Sequence, residues 1–177
     1  MSRPSGPTSL ELYLVRHALA AERGTDYPDD ALRPLTDDGV ERFRRAVSGL
    51  RALGVQLDLV LTSPYVRARE TADLLAVGLR PRPKLVVVEG LAAGEPPAGV
   101  IAAVATHSAT GRGASRIALV GHEPDLRELA ARLLGAKGRI EFKKGAVCRI
   151  DVDRAMPSGP GSLRWFLTPR MLRGLSS

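Results

Sequence analysis

Residues 10–17 read LELYLVRH, a short run that is apolar apart from Glu11 and that ends on an arginine and a histidine. The run has the length of a buried strand, and Arg16-His17 falls where that strand must give way to a loop. The same grammar recurs twice downstream. Residues 57–61 (LDLVL) form a second apolar run, closed by Thr62-Ser63-Pro64 and followed by a segment carrying Arg67. Residues 116–120 (RIALV) form another, closed by Gly121-His122-Glu123-Pro124. Each polar cluster therefore sits at the carboxyl end of an expected strand.

The intervening chain reads as helix. After the polar loop ERGTDYPDDALRP, Thr36 is an N-cap, and Asp37 and Asp38 favour a first helical turn. Val40, Phe43, Val47, Leu50 and Leu53 recur at helical spacing before Gly54. Further helices are expected over residues 65–77, residues 99–107 and from Pro124 to Leu134, with a third strand over residues 84–88 and a loop over residues 89–97. Two late strands, residues 146–152 and 163–167, flank the turn MPSGPGS and predict an antiparallel hairpin at the sheet edge. Strands alternating with helices give the fold class: α/β, a three-layer sandwich with a mostly parallel sheet and helices on both faces.

Bulk properties fit that fold. A chain of 177 residues suits one domain, expected over residues 10–177, with residues 1–9 (MSRPSGPTS) as a disordered lead-in that has no apolar core of a secretory signal. No apolar run is long enough to span a membrane. One cysteine, Cys148, excludes an internal disulfide and a Cys-rich zinc site, and makes the cytoplasm the expected compartment. The net charge of +7 raises the question of nucleic acid, but the basic residues are spread along the chain and aromatics make up only 4%. A nucleic-acid surface would concentrate the charge and interleave aromatics, so the charge is read as suiting anionic partners such as phosphoproteins.

Open α/β sheets bind ligands at the carboxyl ends of their strands, so the three clusters are expected to converge. A neutral histidine such as His17 is a competent nucleophile for a phosphoryl group. Arg16 and Arg67 offer planar forks that fit phosphate oxygens, and His122 at a helix start would add positive charge. Two arginines and two histidines supply positioning and electrostatics without a metal or cofactor. Taken singly the residues have plainer readings: Arg67 as a solvated helix residue, His122 as a cap. His107, among Thr106, Ser108 and Thr110, reads as a dipole contact at a helix end.

Those clusters carry a resemblance. LYLVRHALA, LTSPYVRARETA and LVGHEPDL, in that order, resemble the signature motifs of the histidine phosphatase superfamily, the phosphoglycerate mutase-like fold. RPLTDDG, the short length and the closing FKKGAVCRIDV…LRWFLTP are similar to the SixA-type phosphohistidine phosphatases of that superfamily. The resemblance implies a phosphorylated nucleophile at His17, phosphate clamps at Arg16 and Arg67, a second catalytic histidine at His122 and a motif serine at Ser63. It implies metal-independent hydrolysis through phospho-His17, on an open, shallow pocket facing a phosphohistidine protein. Two positions depart from the pattern. Ala18 stands where glycine often follows the nucleophile, and no clear copy of the larger family's acid motif exists. Glu89 is the possible acid and Glu95 the other carboxylate of that loop. A small-molecule phosphomonoesterase, or a module that holds phosphate without turnover, shares the same residues.

Overall fold

The computed structural model describes residues 9–109, 113–136 and 140–175. The lead-in expected over residues 1–9 lies outside these, apart from Ser9, which opens the first strand. The strands are β1 (Ser9–Arg16), β2 (Leu59–Thr62), β3 (Lys84–Val87), β4 (Arg116–Gly121), β5 (Val147–Asp153) and β6 (Ser162–Leu167). They form one six-stranded sheet in the order β3-β2-β4-β1-β5-β6. The first four are parallel neighbours, and β5 and β6 add antiparallel pairings beside β1. The sheet is thus parallel on one side and antiparallel at the expected hairpin.

Helices α1 (Asp37–Ala52), α2 (Val66–Gly78), α3 (Pro97–Ser108), α4 (Asp125–Leu134) and α5 (Pro169–Gly174) cover the sheet. Alternation along β1 explains the layering, because successive side chains point to opposite faces. Tyr13 and Val15 pack with Phe43 and Val47 of α1, Ala72 and Leu75 of α2, and Leu172 of α5. Leu10, Leu12 and Leu14 pack with Val100 and Val104 of α3 and Leu126 and Leu129 of α4. Both faces are dry, so parallel strands such as β2 (LVLT) are apolar without alternation.

The expected ends of α1 form: Thr36 accepts from the Gly39 N–H at 3.0 Å, and Gly54 follows the helix in the left-handed region at φ 73°. Gly135 ends α4 in the same region at φ 60°. Gly39 also lets α1 approach the loop after β1, because a Cβ there would collide with the Leu19 carbonyl. Helix α5 was not anticipated; its signal is local, with Thr168 accepting from Met171 N–H at 3.3 Å and Pro169 in the first turn. No described helix is long and apolar enough to cross a membrane.

Candidate active site

The sheet order brings the three polar clusters together. Strands β2, β4 and β1 are adjacent, with Arg16 opposite Gly121 and Thr62 opposite Val120 in register. The ladder runs one step past the strand ends: His17 N–H donates to Gly121 O at 3.1 Å, and Ser63 N–H donates to Val120 O at 3.0 Å. These bonds hold the backbone of His17 and Ser63 on either side of the β4 end, from which His122 projects. The ring centroids of His17 and His122 lie 5.3 Å apart.

His17 is 5% exposed, and its Nδ1 lies 2.7 Å from the carbonyl of Ala18. A carbonyl only accepts, so Nδ1 carries the proton and Nε2 keeps its lone pair. Consistent with this, Arg67 Nε donates to His17 Nε2 at 3.3 Å. Burial, with the cations Arg67 and Arg16 adding to it, outweighs the hydrogen bond to Ala18 and pushes the His17 pKa down to about 3. The imidazole is therefore neutral across the ordinary pH range.

Arg67 comes from the first turn of α2 and is 3% exposed. Its guanidinium reaches past His17 to Asp30, donating to the backbone carbonyl at 2.6 Å and to the carboxylate at 2.9 Å. Asp30 also accepts from Arg23 Nε at 2.7 Å and Arg33 Nε at 2.8 Å. Burial raises the Asp30 pKa, but the hydrogen bonds from Arg23, Arg33 and Arg67 outweigh it and set the pKa near 2. Thr71, one turn beyond Arg67, accepts from the Ala18 N–H at 3.0 Å and donates to the Arg67 carbonyl at 2.6 Å. One buried hydroxyl thus joins the loop of His17 to the helix of Arg67.

His122 is 2% exposed, with Nε2 at 2.8 Å from Ser63 Oγ and the Tyr65 ring 5.0 Å away, centroid to centroid. Tyr65 also lies under the Arg67 guanidinium at 5.0 Å, a cation–π distance. Burial, with Arg67 nearby, lowers the His122 pKa to about 3, so His122 is neutral in this arrangement rather than the cation expected of it. Arg16 is half-buried and donates from Nη1 to the Phe142 carbonyl at 2.5 Å. Glu123, whose carboxyl pKa burial raises, accepts from Phe142 N–H at 3.2 Å and lies near Arg16. Two buried side-chain nitrogens among the described residues have no hydrogen-bond partner, Arg16 Nε and His122 Nδ1. A buried polar group left unmatched is costly, and this pair sits where an anion is expected.

The two candidate carboxylates are placed differently. Glu89 begins a 3-10 turn after β3 and is exposed; its carboxylate makes no hydrogen bond or ion pair among the described residues. Glu95, also exposed, lines a narrow crevice with Gly121, His122 and Asp125. Both histidines and Arg67 are at most 5% exposed, so the floor of the site is buried, and the loop between β1 and α1 lays Asp30 against Arg67. Sequence reasoning missed Asp30, Tyr65, Thr71 and Glu123; the last two stand within the motifs ARETA and GHEPDL, whereas Asp30 gave no periodic signal. Cys148 is buried, and burial alone pushes its thiol up to about 12, which leaves it inert.

The family model of the histidine phosphatase superfamily (branch 1) matches residues 12–93. An uncharacterised protein of Picosynechococcus sp. is 38% identical over 143 residues, covering 78% of this chain and 82% of that one. The phosphohistidine phosphatase SixA of Escherichia coli strain K12 is 26% identical over 166 residues, 93% of this chain and 97% of its own. The structure of a protein histidine phosphatase SixA complexed with tungstate superposes with a TM-score of 0.79 at 24% identity, covering 91% and 98% of the two chains. The chain belongs to the histidine phosphatase superfamily, with the phosphoglycerate mutase-like fold, and is a phosphatase.

Proposed function

We propose that this chain is a phosphohistidine phosphatase that acts on a phosphorylated protein, with His17 as its nucleophile. The observation that carries the reading is the state of His17: neutral, buried, and fixed as the Nδ1–H tautomer with its Nε2 lone pair beside Arg67. That is the form a nucleophile toward phosphorus requires. The likeness to SixA supports phosphohistidine as the substrate.

In the first half-reaction the Nε2 lone pair of His17 attacks phosphorus in line. The bond from phosphorus to the substrate's imidazole nitrogen breaks, its electron pair stays on that nitrogen, and the nitrogen takes up a proton. In the second, water attacks the phosphoryl group on His17, the new O–P bond replaces the N–P bond, and orthophosphate leaves a neutral His17. Arg16, Arg67 and His122 hold the non-bridging oxygens, and Ser63 orients His122 through its 2.8 Å contact. The unmatched Arg16 Nε and His122 Nδ1 are then matched by phosphate oxygens. Arg67 exchanges the Asp30 carboxylate for the phosphoryl group, so Asp30 holds the guanidinium in place until substrate arrives.

A leaving imidazole is protonated readily near neutral pH, so phosphohistidine makes a smaller demand on a carboxylic acid than a phosphate ester does. An exposed Glu89 with no fixed contact suits that substrate. The test is release of phosphate from a phosphohistidine-bearing protein beside a set of small phosphomonoesters, with wild type and His17→Ala in parallel. His17-dependent turnover confined to phosphohistidine is the expected result. Turnover confined to small esters would move the function to small-molecule metabolism, and phosphate binding without turnover of either would make the chain a binding module.

A further inference from the structure

Beside the nucleophile loop lies a groove of about 350 Å³ that the phosphatase reading leaves unused. It begins at Ala18, the residue after His17, and its cationic lining comes from Arg42 of α1, the pair Lys143 and Lys144, and Arg170 and Arg173 of α5. The groove lining contains no carboxylate. Asp38 pairs with Arg42 at 2.7 Å from outside the groove, so Arg42 is partly neutralised. Lys143, Lys144 and Arg170 are exposed and make no ion pair among the described residues. Sequence alone hid this concentration, because the five cations come from three distant segments.

The basic segment is also fastened to the catalytic one. Gly145 N–H is shared between the carbonyls of Arg16 and His17, each at 3.1 Å, and Arg16 Nη1 donates to the carbonyl of Phe142. Lys143 and Lys144 lie between those two anchors. The backbone of this segment is therefore fixed relative to His17 by hydrogen bonds to the Arg16 and His17 carbonyls and to the Arg16 side chain. Charges held on a rigid rim act on the encounter and orientation of a partner rather than on the chemical step.

We infer that this groove docks the acidic face of the phosphoprotein, a surface in which carboxylates flank the phosphohistidine. The inference rests on the phosphohistidine reading for the identity of the reacting group, and adds what surrounds it. Lys143 and Lys144 immediately precede Gly145, whose N–H bonds the His17 carbonyl, so carboxylates flanking the phosphohistidine within a Debye length of them, roughly 8–10 Å, would be felt. A protein is favoured over a nucleic acid because no Phe, Tyr or Trp in the groove offers a base a stacking platform beyond the buried edge of Phe43.

The experiment uses a short peptide with a central phosphohistidine flanked by glutamates, its twin flanked by glutamines, and phosphoramidate as the small substrate. Wild type should show kcat/KM at least about tenfold higher on the glutamate peptide at low salt, the gap closing at high salt. The combined variant Lys143→Gln, Lys144→Gln, Arg170→Gln should lose that preference while its phosphoramidate rate stays unchanged. Equal rates on the two peptides in wild type, or a preference that survives in the variant, would overturn the groove. Binding of the unphosphorylated glutamate peptide, followed by fluorescence, tests the groove without turnover: about tenfold weaker binding by the variant is expected, and no difference overturns it. Tighter binding of a single-stranded oligonucleotide than of the glutamate peptide would also overturn it. Loss of turnover on every substrate while peptide binding stays groove-dependent would instead sink the phosphohistidine reading alone.

Discussion

The two ends of the same parallel sheet carry polar clusters of opposite character. At the amino ends of β2 and β4, Asp58 accepts from the Ser115 and Arg116 N–H groups, each at 3.0 Å, and from Arg116 Nη2 at 2.6 Å. Arg116 also donates to Gln56 at 2.7 Å. At the carboxyl ends, Arg16 Nε and His122 Nδ1 are buried without partners, and two histidines are held neutral among arginines. The first cluster is satisfied by the protein itself and so fixes strand ends. The second is incomplete, and its completion by an anion is what a phosphatase uses.

That contrast is sharpest in substitutions that should separate activity from stability. His17→Ala has the largest expected effect, loss of turnover by about a thousandfold or more with the fold retained, measured by phosphate release and by circular dichroism. On the proposed mechanism Arg67→Ala removes a transition-state donor and should cost about 3–4 kcal/mol, read as kcat/KM. It also frees Asp30, so the Asp30→Asn variant, which keeps the arginine, should lose far less.

Acid sensitivity comes next. Burial lowers the pKa of both His17 and His122 from about 6.5 to about 3 in the folded chain. Between those pH values the unfolded chain binds protons that the folded chain refuses, so stability rises with pH. The contribution is fully present above about pH 6.5 and is lost as pH falls toward 3. At pH 5 the loss should be about 2 kcal/mol per histidine, and urea unfolding of a His17→Asn, His122→Asn variant should show a flatter profile. The smallest effect belongs to the satisfied cluster. Asp58→Asn should cost about 1 kcal/mol of stability and leave kcat unchanged, because Arg116 is partly solvated and exposed pairs contribute little. A variant of Asp58 that abolished turnover with normal stability would break the distinction between the two ends.

What could be read from the sequence follows the same division. The strand ends were legible because apolar runs stop abruptly at Arg16-His17, Ser63 and His122, and the doubly wound layout then forces those stops to converge. The layering was legible from helical spacing at Phe43, Val47 and Leu50. Asp30 was not, since its partner Arg67 is brought to it only by the packing of α2 beside the loop, and that loop has no period to read. Glu123 was hidden for a different reason: a carboxylate beside a histidine at a helix start reads first as a dipole partner, and only the fold shows it near Arg16. The short helix α5 lay past the last expected strand, yet it supplies Arg170 and Arg173 to the groove.

On the proposed mechanism His17 itself carries the phosphoryl group during turnover. Rapid quenching of wild type during hydrolysis of a radiolabelled phosphohistidine protein, followed by peptide mapping under alkaline conditions, tests it directly. The account predicts an acid-labile, alkali-stable label on the peptide containing His17, absent in His17→Ala together with turnover. A label at another residue, or undiminished turnover in His17→Ala, would contradict it.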